Sequence, residues 1–248
     1  MNNTPEQAGQ KAFDINIRSI IAFREIGIGH ESAKKFSMIM NLVEPVGIKS
    51  YNDINDRLLE SYLKAADESM LIAGSDSRNT DNSISECTVS LDGTWQKRGH
   101  DSLNGNVTAV LRTNDKCIDY QIMSIKCKAC QVWTKKKGTN EYNMWKSSHI
   151  CHINHNKSAS SMESDGSVAI FHRSISRHKL KYKNYIGDGD TSSYLKVVES
   201  KPYGDDFLIH KLECVGHIQK RLGARLGNLK IKYKNKLLSD GKKLFGKG

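Results

Sequence analysis

Apolar residues recur at helical spacing over the first third of the chain. Their intervals of three and four predict helices over about 15–23, 31–42 and 51–72. Glycines separate the first two helices, and Pro45 with Gly47 ends the second. The first two helices are typical either of a packed helical hairpin or of a DNA-binding helix-turn-helix. Their lack of basic character favours the hairpin.

Behind a polar, turn-rich segment, the hydrophobic period changes to the alternation of β-strands. Three successive strands are predicted at 87–92, 106–112 and 117–126, with Asn104-Gly105 as a turn. After a stretch rich in Cys and His come a helix, a strand, a helix, a strand and a helix, over about 160–179, 181–187, 191–199, 207–212 and 215–233. This β-β-β-α-β-α-β-α order predicts an α/β fold, the ribonuclease H-like mixed sheet with flanking helices.

Composition divides the chain into three parts. Residues 1–73 are predicted to form an N-terminal helical region of three helices, residues 74–85 a polar linker, and residues 86–248 the ribonuclease H-like domain. A Cys/His insert at 127–157, resembling a zinc knuckle, interrupts this domain after its third strand.

The net charge of +11 is unevenly distributed. Residues 1–95 carry nine Lys/Arg and fourteen Asp/Glu, a balance of −5, which leaves +16 for residues 96–248. A basic body favours a polyanionic partner, although a solvated lysine-rich surface accounts for the charge equally well. The basic Lys230–Lys243 region is also compatible with nuclear targeting. An intracellular protein is expected, because no apolar run approaches the ~20 residues of a membrane span and the N-terminus lacks a signal-peptide layout.

Two aspartates follow predicted strands at positions suited to holding a hard cation. Asp92 ends the first strand, before Gly93, and Asp188 ends the fourth within Gly187-Asp188-Gly189-Asp190. In the ribonuclease H-like layout these two strands each carry a catalytic acid at that end. Asp92 and Asp188 are therefore predicted to meet around Mg²⁺ or Mn²⁺ in a nuclease-like site. Asp190 is the alternative second acid, and each aspartate alone would also suit a turn or a helix cap.

Three of the six cysteines have the spacing of a zinc site. Cys127-x₂-Cys130 is followed after twenty residues by Cys151-x₃-His155, which predicts structural Zn²⁺ held by three thiolates and one imidazole. His149 and His152 are alternatives to His155. The segment between the two pairs lacks a hydrophobic period, so an ion is expected to order it. Its tryptophans and lysines suit either packing on the zinc site or DNA contact.

Four segments together resemble the Mutator-like transposase family. They are residues 90–105 (SLDGTWQKRGHDSLNG), 186–190 (IGDGD), 200–206 (SKPYGDD) and 212–221 (LECVGHIQKR). The resemblance also extends to the N-terminal helices. It implies a DDE-type nuclease and strand transferase, in which three carboxylates hold two divalent ions. The first acid maps to Asp92 and the second to Asp188.

The resemblance has further implications for the C-terminal part. Cys214-x₂-His217 matches the family's Cys-x-x-His motif, beyond which the third acid, a glutamate, is expected. The sequence offers only Asp240 there, so the chain is predicted to lack the third acid and to be inactive alone.

The family's biology implies DNA as the partner, both transposon ends and target, with a homo-oligomer and a nuclear location. Basic residues near the motifs are predicted to contact DNA: Lys97, Arg98, His100, Lys220 and Arg221. The alternatives are a non-catalytic, zinc-stapled DNA- or protein-binding module derived from a transposase, and a ribonuclease H-like exonuclease.

Overall fold

The structure is a computed structural model that describes most of the chain. The described residues are 14–78, 83–96, 102–187, 191–234, 236–241 and 243. The chain divides into two compact units, Met1–Glu68 and Ser69–Gly248.

The first unit is helical. It contains α1 (Asp14–Glu25), α2 (His30–Ile39) and most of α3 (Ile48–Ser75). A small apolar cluster of Ile20, Tyr51 and Ile54 is buried between helices. The His30 ring is also buried, and its Nε2 lies 2.9 Å from the Val46 carbonyl oxygen. The three predicted helices are thus present.

The second unit contains five strands and five helices within its described residues. In chain order they are β1 (Ser85–Trp95), β2 (Asn104–Leu111), β3 (Cys117–Ser124), α4 (Lys128–Trp133), α5 (Asn140–Ser148), α6 (Met162–His178), β4 (Leu180–Gly187), α7 (Ser192–Glu199), β5 (His210–Glu213) and α8 (Val215–Lys232). The predicted α/β class with a mixed sheet is confirmed. Among the helices that the structure describes, none combines the length and apolar content of a membrane span.

The sheet has the strand order β3-β2-β1-β4-β5. Strand β2 is antiparallel to both β1 and β3, whereas β4 is parallel to both β1 and β5. Ser90 at the centre of the sheet is paired with Val110 of β2 on one side and Ile186 of β4 on the other. The C-terminal ends of β1, β4 and β5 therefore lie at one edge of the sheet.

One face of the sheet carries the core. Alternate residues of β1 and β2 are buried, as expected for strands with one face against helices. They pack with α6, where the ring of Phe171 meets the ring of Tyr182 edge-on at 5.2 Å. The largest fully buried apolar side chains of this cluster are Val89, Val107, Leu111, Ile118, Ile170, Phe171, Leu180, Tyr182, Tyr185 and Val197.

Small residues let the first half of α6 lie very close to the sheet. A methyl group added to Gly166 of α6 would be 2.6 Å from Val107 Cγ2. On β2, a methyl group added to Gly105 would be 2.4 Å from the ring of Trp95, its partner on β1. Larger side chains at either glycine would force α6 or the Trp95 ring away from the sheet.

The Cys/His insert, which shows no hydrophobic period in the sequence, folds into α4, a short 3-10 turn and α5. The Thr139 hydroxyl caps α5 by accepting a hydrogen bond from Tyr142 N at 3.2 Å. Asn154 joins the end of the insert to β3, since its Oδ1 accepts from Ser124 N at 2.8 Å and its Nδ2 donates to Ile122 O at 2.7 Å. The insert thus leaves and re-enters the domain at one point.

Candidate metal centre and the acidic edge of the sheet

Asp92 lies near the C-terminal end of β1. It is exposed, in contrast to its neighbour Leu91 in the core, and is paired with Thr108 of β2. The Thr108 hydroxyl donates to the Asp92 carbonyl oxygen at 3.4 Å. Asp92 follows the last β1–β4 pair, Ser90 with Ile186, by two residues.

Several predicted site residues lie outside the described residues. They are the predicted second acid with its alternative and three basic residues after β1: Asp188, Asp190, Lys97, Arg98 and His100. Their roles remain predictions. The nearest described residue of β4 is the buried Gly187, which is paired with Glu213 of β5.

A carboxylate that the sequence analysis did not single out lies at the same end of β1. Glu163 belongs to the first turn of α6. A methyl group added to Gly93, the residue after Asp92, would be 2.8 Å from Glu163 Oε2 and 3.2 Å from its Cδ. The only sequence signal for Glu163 was its place at a helix start, where acids are common because of the helix dipole.

The insert brings four potential zinc ligands together. The ligand atoms of Cys127, Cys130, His149 and Cys151 all lie within 4.8 Å of one another. His149 Nε2 is 3.4 Å from Cys127 Sγ and 3.4 Å from Cys130 Sγ, and the Sγ atoms of Cys130 and Cys151 are 3.6 Å apart. A tetrahedral zinc ion with bonds of about 2.3 Å to sulfur and about 2.0–2.1 Å to nitrogen separates its ligands by roughly 3.5–3.8 Å. The donor set and its spacing therefore fit Zn²⁺.

Local structure positions these ligands. Cys127 directly precedes α4 and Cys130 lies in its first turn, whereas His149 and Cys151 follow α5. The ring of Trp145 stacks on His149 at 4.4 Å and on Trp133 at 5.0 Å, so the two helices meet beside the cluster. Packing beside the zinc site was one of the two roles predicted for the tryptophans, and DNA contact was the other.

The thiols of the cluster differ in acidity. Hydrogen bonds with the backbone of Cys130 and His152 lower the pKa of the Cys127 thiol to about 6. Burial, together with the thiols of Cys151 and Cys127, raises the pKa of Cys130 to about 11. One thiolate therefore forms readily near neutral pH, and further thiolates become favourable when a cation shares the site.

His155, the predicted fourth ligand, lies elsewhere, and His149, its first alternative, occupies the cluster. His155 is buried, with Nε2 3.0 Å from both the Ser158 carbonyl oxygen and Ser161 Oγ. Its Nδ1 is 3.3 Å from Asp165 Oδ2 in α6. The residues after Cys151 return to the sheet through Asn154, which carries the His155 ring away from the thiols.

The Cys-x-x-His motif begins α8. The Cys214 carbonyl oxygen accepts from His217 N and Ile218 N, both at 3.1 Å. In the part of the chain that the structure describes, no group of three metal-ligand residues includes Cys214 or His217. Of the two predicted DNA contacts on this helix, Lys220 is exposed, and Arg221 donates to Glu213 Oε2 at 2.6 Å.

The sequence matches a known family. The chain fits the family described as Mutator-like transposase over residues 1–247, and it therefore belongs to that family. A search of curated proteins found no match. The resemblance noted from the sequence is thus confirmed, and with it the class of a transposase-derived domain.

Proposed function

We propose that this chain is a DNA-binding, DDE-type nuclease domain for phosphodiester cleavage and strand transfer in DNA transposition, built on a ribonuclease H-like fold. The strand order β3-β2-β1-β4-β5 supports the fold assignment, with three antiparallel strands followed by parallel β4 and β5. Membership of the Mutator-like transposase family supports DNA as the substrate.

The parallel pairing of β1 with β4 is the observation that carries the proposal. Ser90 is paired with Ile186. Asp92 follows Ser90 by two residues in the sequence, and Asp188 follows Ile186 by two residues. Equal offsets in paired parallel strands are what two acids need to act on a common ion.

The donor type at this edge fits a divalent ion. Asp92 and Asp188 offer carboxylate oxygens, which are the ligands that Mg²⁺ and Mn²⁺ prefer. Two bound divalent ions would favour attack on phosphorus and stabilise the departing oxygen. The chain's own part is to hold these carboxylates and orient the DNA strand while a water oxygen bonds to phosphorus. The bond to the 3′ oxygen then breaks, and that oxygen takes up a proton.

A specific observation favours a second candidate, a non-catalytic zinc-stapled module that binds DNA or protein. By resemblance the third acid is a glutamate beyond the Cys-x-x-His motif, and α8 contains neither Asp nor Glu between Val215 and Lys232. The Cys/His cluster would serve such a module without any hydrolysis.

Metal-dependent nicking of supercoiled plasmid DNA separates the two candidates. Under the first candidate, and against the prediction that a chain without the third acid is inactive alone, the zinc-loaded full chain would convert supercoiled to open-circular DNA in Mn²⁺, and Asp92→Asn would abolish conversion. Asp205→Asn is the matched control, because Asp205 is an exposed acid in the turn that precedes β5. DNA binding without nicking by the wild-type chain would reject the nuclease and support the second candidate.

A further inference from the structure

We infer that the Cys/His insert binds single-stranded DNA by stacking an unpaired base on Trp133. The site consists of Trp133 at the end of α4 and the lysine run that follows it, Lys135–Lys137. The indole ring supplies a flat surface for the base, and the lysines supply positive charge for the flanking phosphates. This contact goes beyond the proposed function, because it requires neither the divalent-ion site nor hydrolysis.

Trp133 is an end member of a series of stacked rings. Its ring is nearly parallel to the ring of Trp145, with an interplanar angle of 3° and centroids 5.0 Å apart. Trp145 also stacks on His149, with centroids 4.4 Å apart and 21° between the planes. The face-to-face geometry that joins these rings is the geometry by which a nucleobase packs on an aromatic side chain.

The ring of Trp133 keeps accessible surface. Of the rings and cations in the part of the chain that the structure describes, only Trp145 and Lys136 lie over Trp133. Trp133 is half-buried, and neither α4 nor α5 contains a buried residue. A tryptophan with one stacked partner and remaining exposed area is typical of a binding surface.

Lys136 covers the ring only loosely. Its ammonium lies 4.9 Å from the centroid of the Trp133 ring, in a cation–π contact. The same ammonium pairs with Glu141 at 2.8 Å, and both side chains of this pair are more than half exposed. Exposed ion pairs contribute little stability, so a base can displace Lys136 from the ring at small cost. The displaced ammonium stays beside the site, where it can bind a phosphate.

The charge around Trp133 suits a polyanion. Residues 126–150 contain six lysines and one glutamate, a balance of +5 apart from the metal ligands. The three side chains of Lys135–Lys137 are exposed. Thr139 N donates to the Lys136 carbonyl oxygen at 3.1 Å, which closes the turn that carries the lysines. The backbone of the lysine run is therefore held next to the ring, as a combined stacking and phosphate site requires.

An unpaired base is the form of DNA that fits this site. A base inside a duplex is stacked on its neighbours and has no free face, whereas a base in a single strand can leave the stack and place its face on an aromatic ring. Membership of the Mutator-like transposase family favours DNA over RNA as the source of the strand.

Quenching of tryptophan fluorescence tests the stacking directly. Trp95→Phe leaves Trp133 and Trp145 as the only tryptophans of the chain. The zinc-loaded full chain with this change is titrated with oligo(dT) of about 12 nucleotides, a length within the range of single-strand sites, and with a duplex of equal length. Oligo(dT) is expected to quench the emission and to bind more tightly than the duplex. Oligo(dT) binding without quenching, or equal affinity for the duplex, would overturn the inference.

Trp133→Leu keeps an apolar side chain and removes the flat face. Anisotropy of labelled oligo(dT) is expected to show binding weakened at least about fivefold, with duplex binding unchanged. Val132→Ala changes an exposed neighbour in α4 and is the matched control, expected to bind as the wild type does. Zinc content equal to that of the wild type shows that the insert of each variant is intact.

A second variant keeps the inference testable if Trp133→Leu loses its zinc. Replacing Lys135 and Lys137 together by Ala is expected to weaken oligo(dT) binding and to lower the slope of log affinity against log salt by roughly 1.4, about 0.7 per lost phosphate contact on a single strand. An unchanged slope would contradict phosphate contacts by the lysine run.

Two further outcomes separate this inference from the proposed function and from RNA binding. A wild-type chain that binds and is quenched by oligo(dT) but does not nick plasmid DNA supports the inference and rejects only the nuclease. Tighter binding of oligo(rU) than of oligo(dT) would overturn the assignment to DNA.

Discussion

Asp119 is a fully buried carboxylate in β3 whose charge is balanced by α6. Arg173 donates from Nε to Oδ2 at 2.7 Å and from a terminal nitrogen to Oδ1 at 3.0 Å. Tyr120 N also donates to Oδ1, at 2.8 Å. This bidentate pair joins the edge of the sheet to the helix that carries Glu163.

Asp119→Ala is expected to destabilise the protein by about 3–5 kcal/mol, because it leaves the Arg173 guanidinium partly buried without its partner. Urea unfolding monitored by circular dichroism measures the loss. Glu86→Ala removes the exposed pair between Glu86 and Lys183 on neighbouring strands and is expected to change stability by less than about 1 kcal/mol. Equal losses in both variants would contradict this difference in burial.

His178 at the end of α6 is a buried histidine. Burial lowers its pKa to about 4, and the nearby charge of Arg177 acts in the same direction, whereas Asp119 opposes the shift. Because the folded pKa lies below the unfolded value, the unfolded state binds protons more readily. The neutral ring contributes stability above pH ~6.5 that is lost as the pH falls toward 4.

His178→Gln is therefore expected to flatten the acid limb of the stability curve. Between pH ~6.5 and ~4 the wild type should lose roughly 1.4 kcal/mol more per pH unit than the variant. Urea unfolding of both proteins at several pH values measures the difference, in which all other titrating groups cancel. Parallel curves would show that His178 takes up a proton in the folded protein as readily as in the unfolded one.

At the residue scale, the sequence predicts which residue types can bind a metal better than it predicts which residues contact each other. Spacing singled out Cys127, Cys130 and Cys151, because two cysteines separated by two residues are a local pattern. It did not decide between His149 and His155, since the return of the chain through Asn154 determines which ring stays beside the thiols. Nor could local pattern join Asp119 to Arg173, which are 54 positions apart.

The helices of the insert depend on the cluster that joins their ends. α4 has six residues and α5 nine, lengths that are marginal for isolated helices in water. Their mutual contact is the stack of Trp133 on Trp145, beside the ligand His149. The order of these elements should therefore depend on the ion.

Zinc removal by a chelator is expected to unfold the insert and leave the sheet folded. Tryptophan fluorescence should change strongly, because two of the three tryptophans stack in the insert. Cys130→Ser should reproduce the change without chelator, whereas Cys117→Ser, an exposed cysteine of β3, should behave as wild type. An identical fluorescence spectrum before and after chelation would contradict a structural zinc ion.

At the element scale, hydrophobic periodicity predicted the order of helices and strands outside the insert. Each long element has enough repeats to show its period, as α6 and β1 do. Strand β5 is shorter than predicted, because Phe207 and Ile209 pack against the core ahead of the strand rather than within it. The Phe207 ring meets Tyr203 edge-on at 5.0 Å, a contact that strand alternation cannot reveal.

The C-terminal helix gives the whole molecule a basic, exposed element. All residues of α8 from Ile218 to Lys232 are exposed, among them Lys220, Arg225 and Lys230. Residues 96–248 carry a net charge of +16. Binding to DNA phosphates releases counterions, so the affinity of such a surface depends steeply on salt.

Replacing Lys220 and Arg225 together by Ala is expected to weaken duplex DNA binding and to lower the slope of log affinity against log salt by roughly two, about one per lost phosphate contact. Fluorescence anisotropy at several salt concentrations measures the slope. Lys64→Ala, an exposed lysine on α3, serves as the control. An unchanged slope in the double variant would place the DNA contacts away from α8.

For the molecule as a whole, the sequence predicted more of the architecture than of the site. The order of elements indicated that β1 and β4 belong side by side, although Thr88 and Asn184, which bond side chain to side chain at 2.9 Å, are 96 residues apart. The position of Glu163 came only with the packing of α6 on Gly93. The meeting of Asp92 with Asp188 remains a prediction.

The two hydrogen bonds that join Asn154 to Ser124 and Ile122 have a consequence for how this segment can vary. An insert whose first and last residues are joined at one point can change in length or sequence without altering the strand register on either side. Differences in the length or sequence of this segment are therefore expected to leave the pairing of β2 with β3 unchanged.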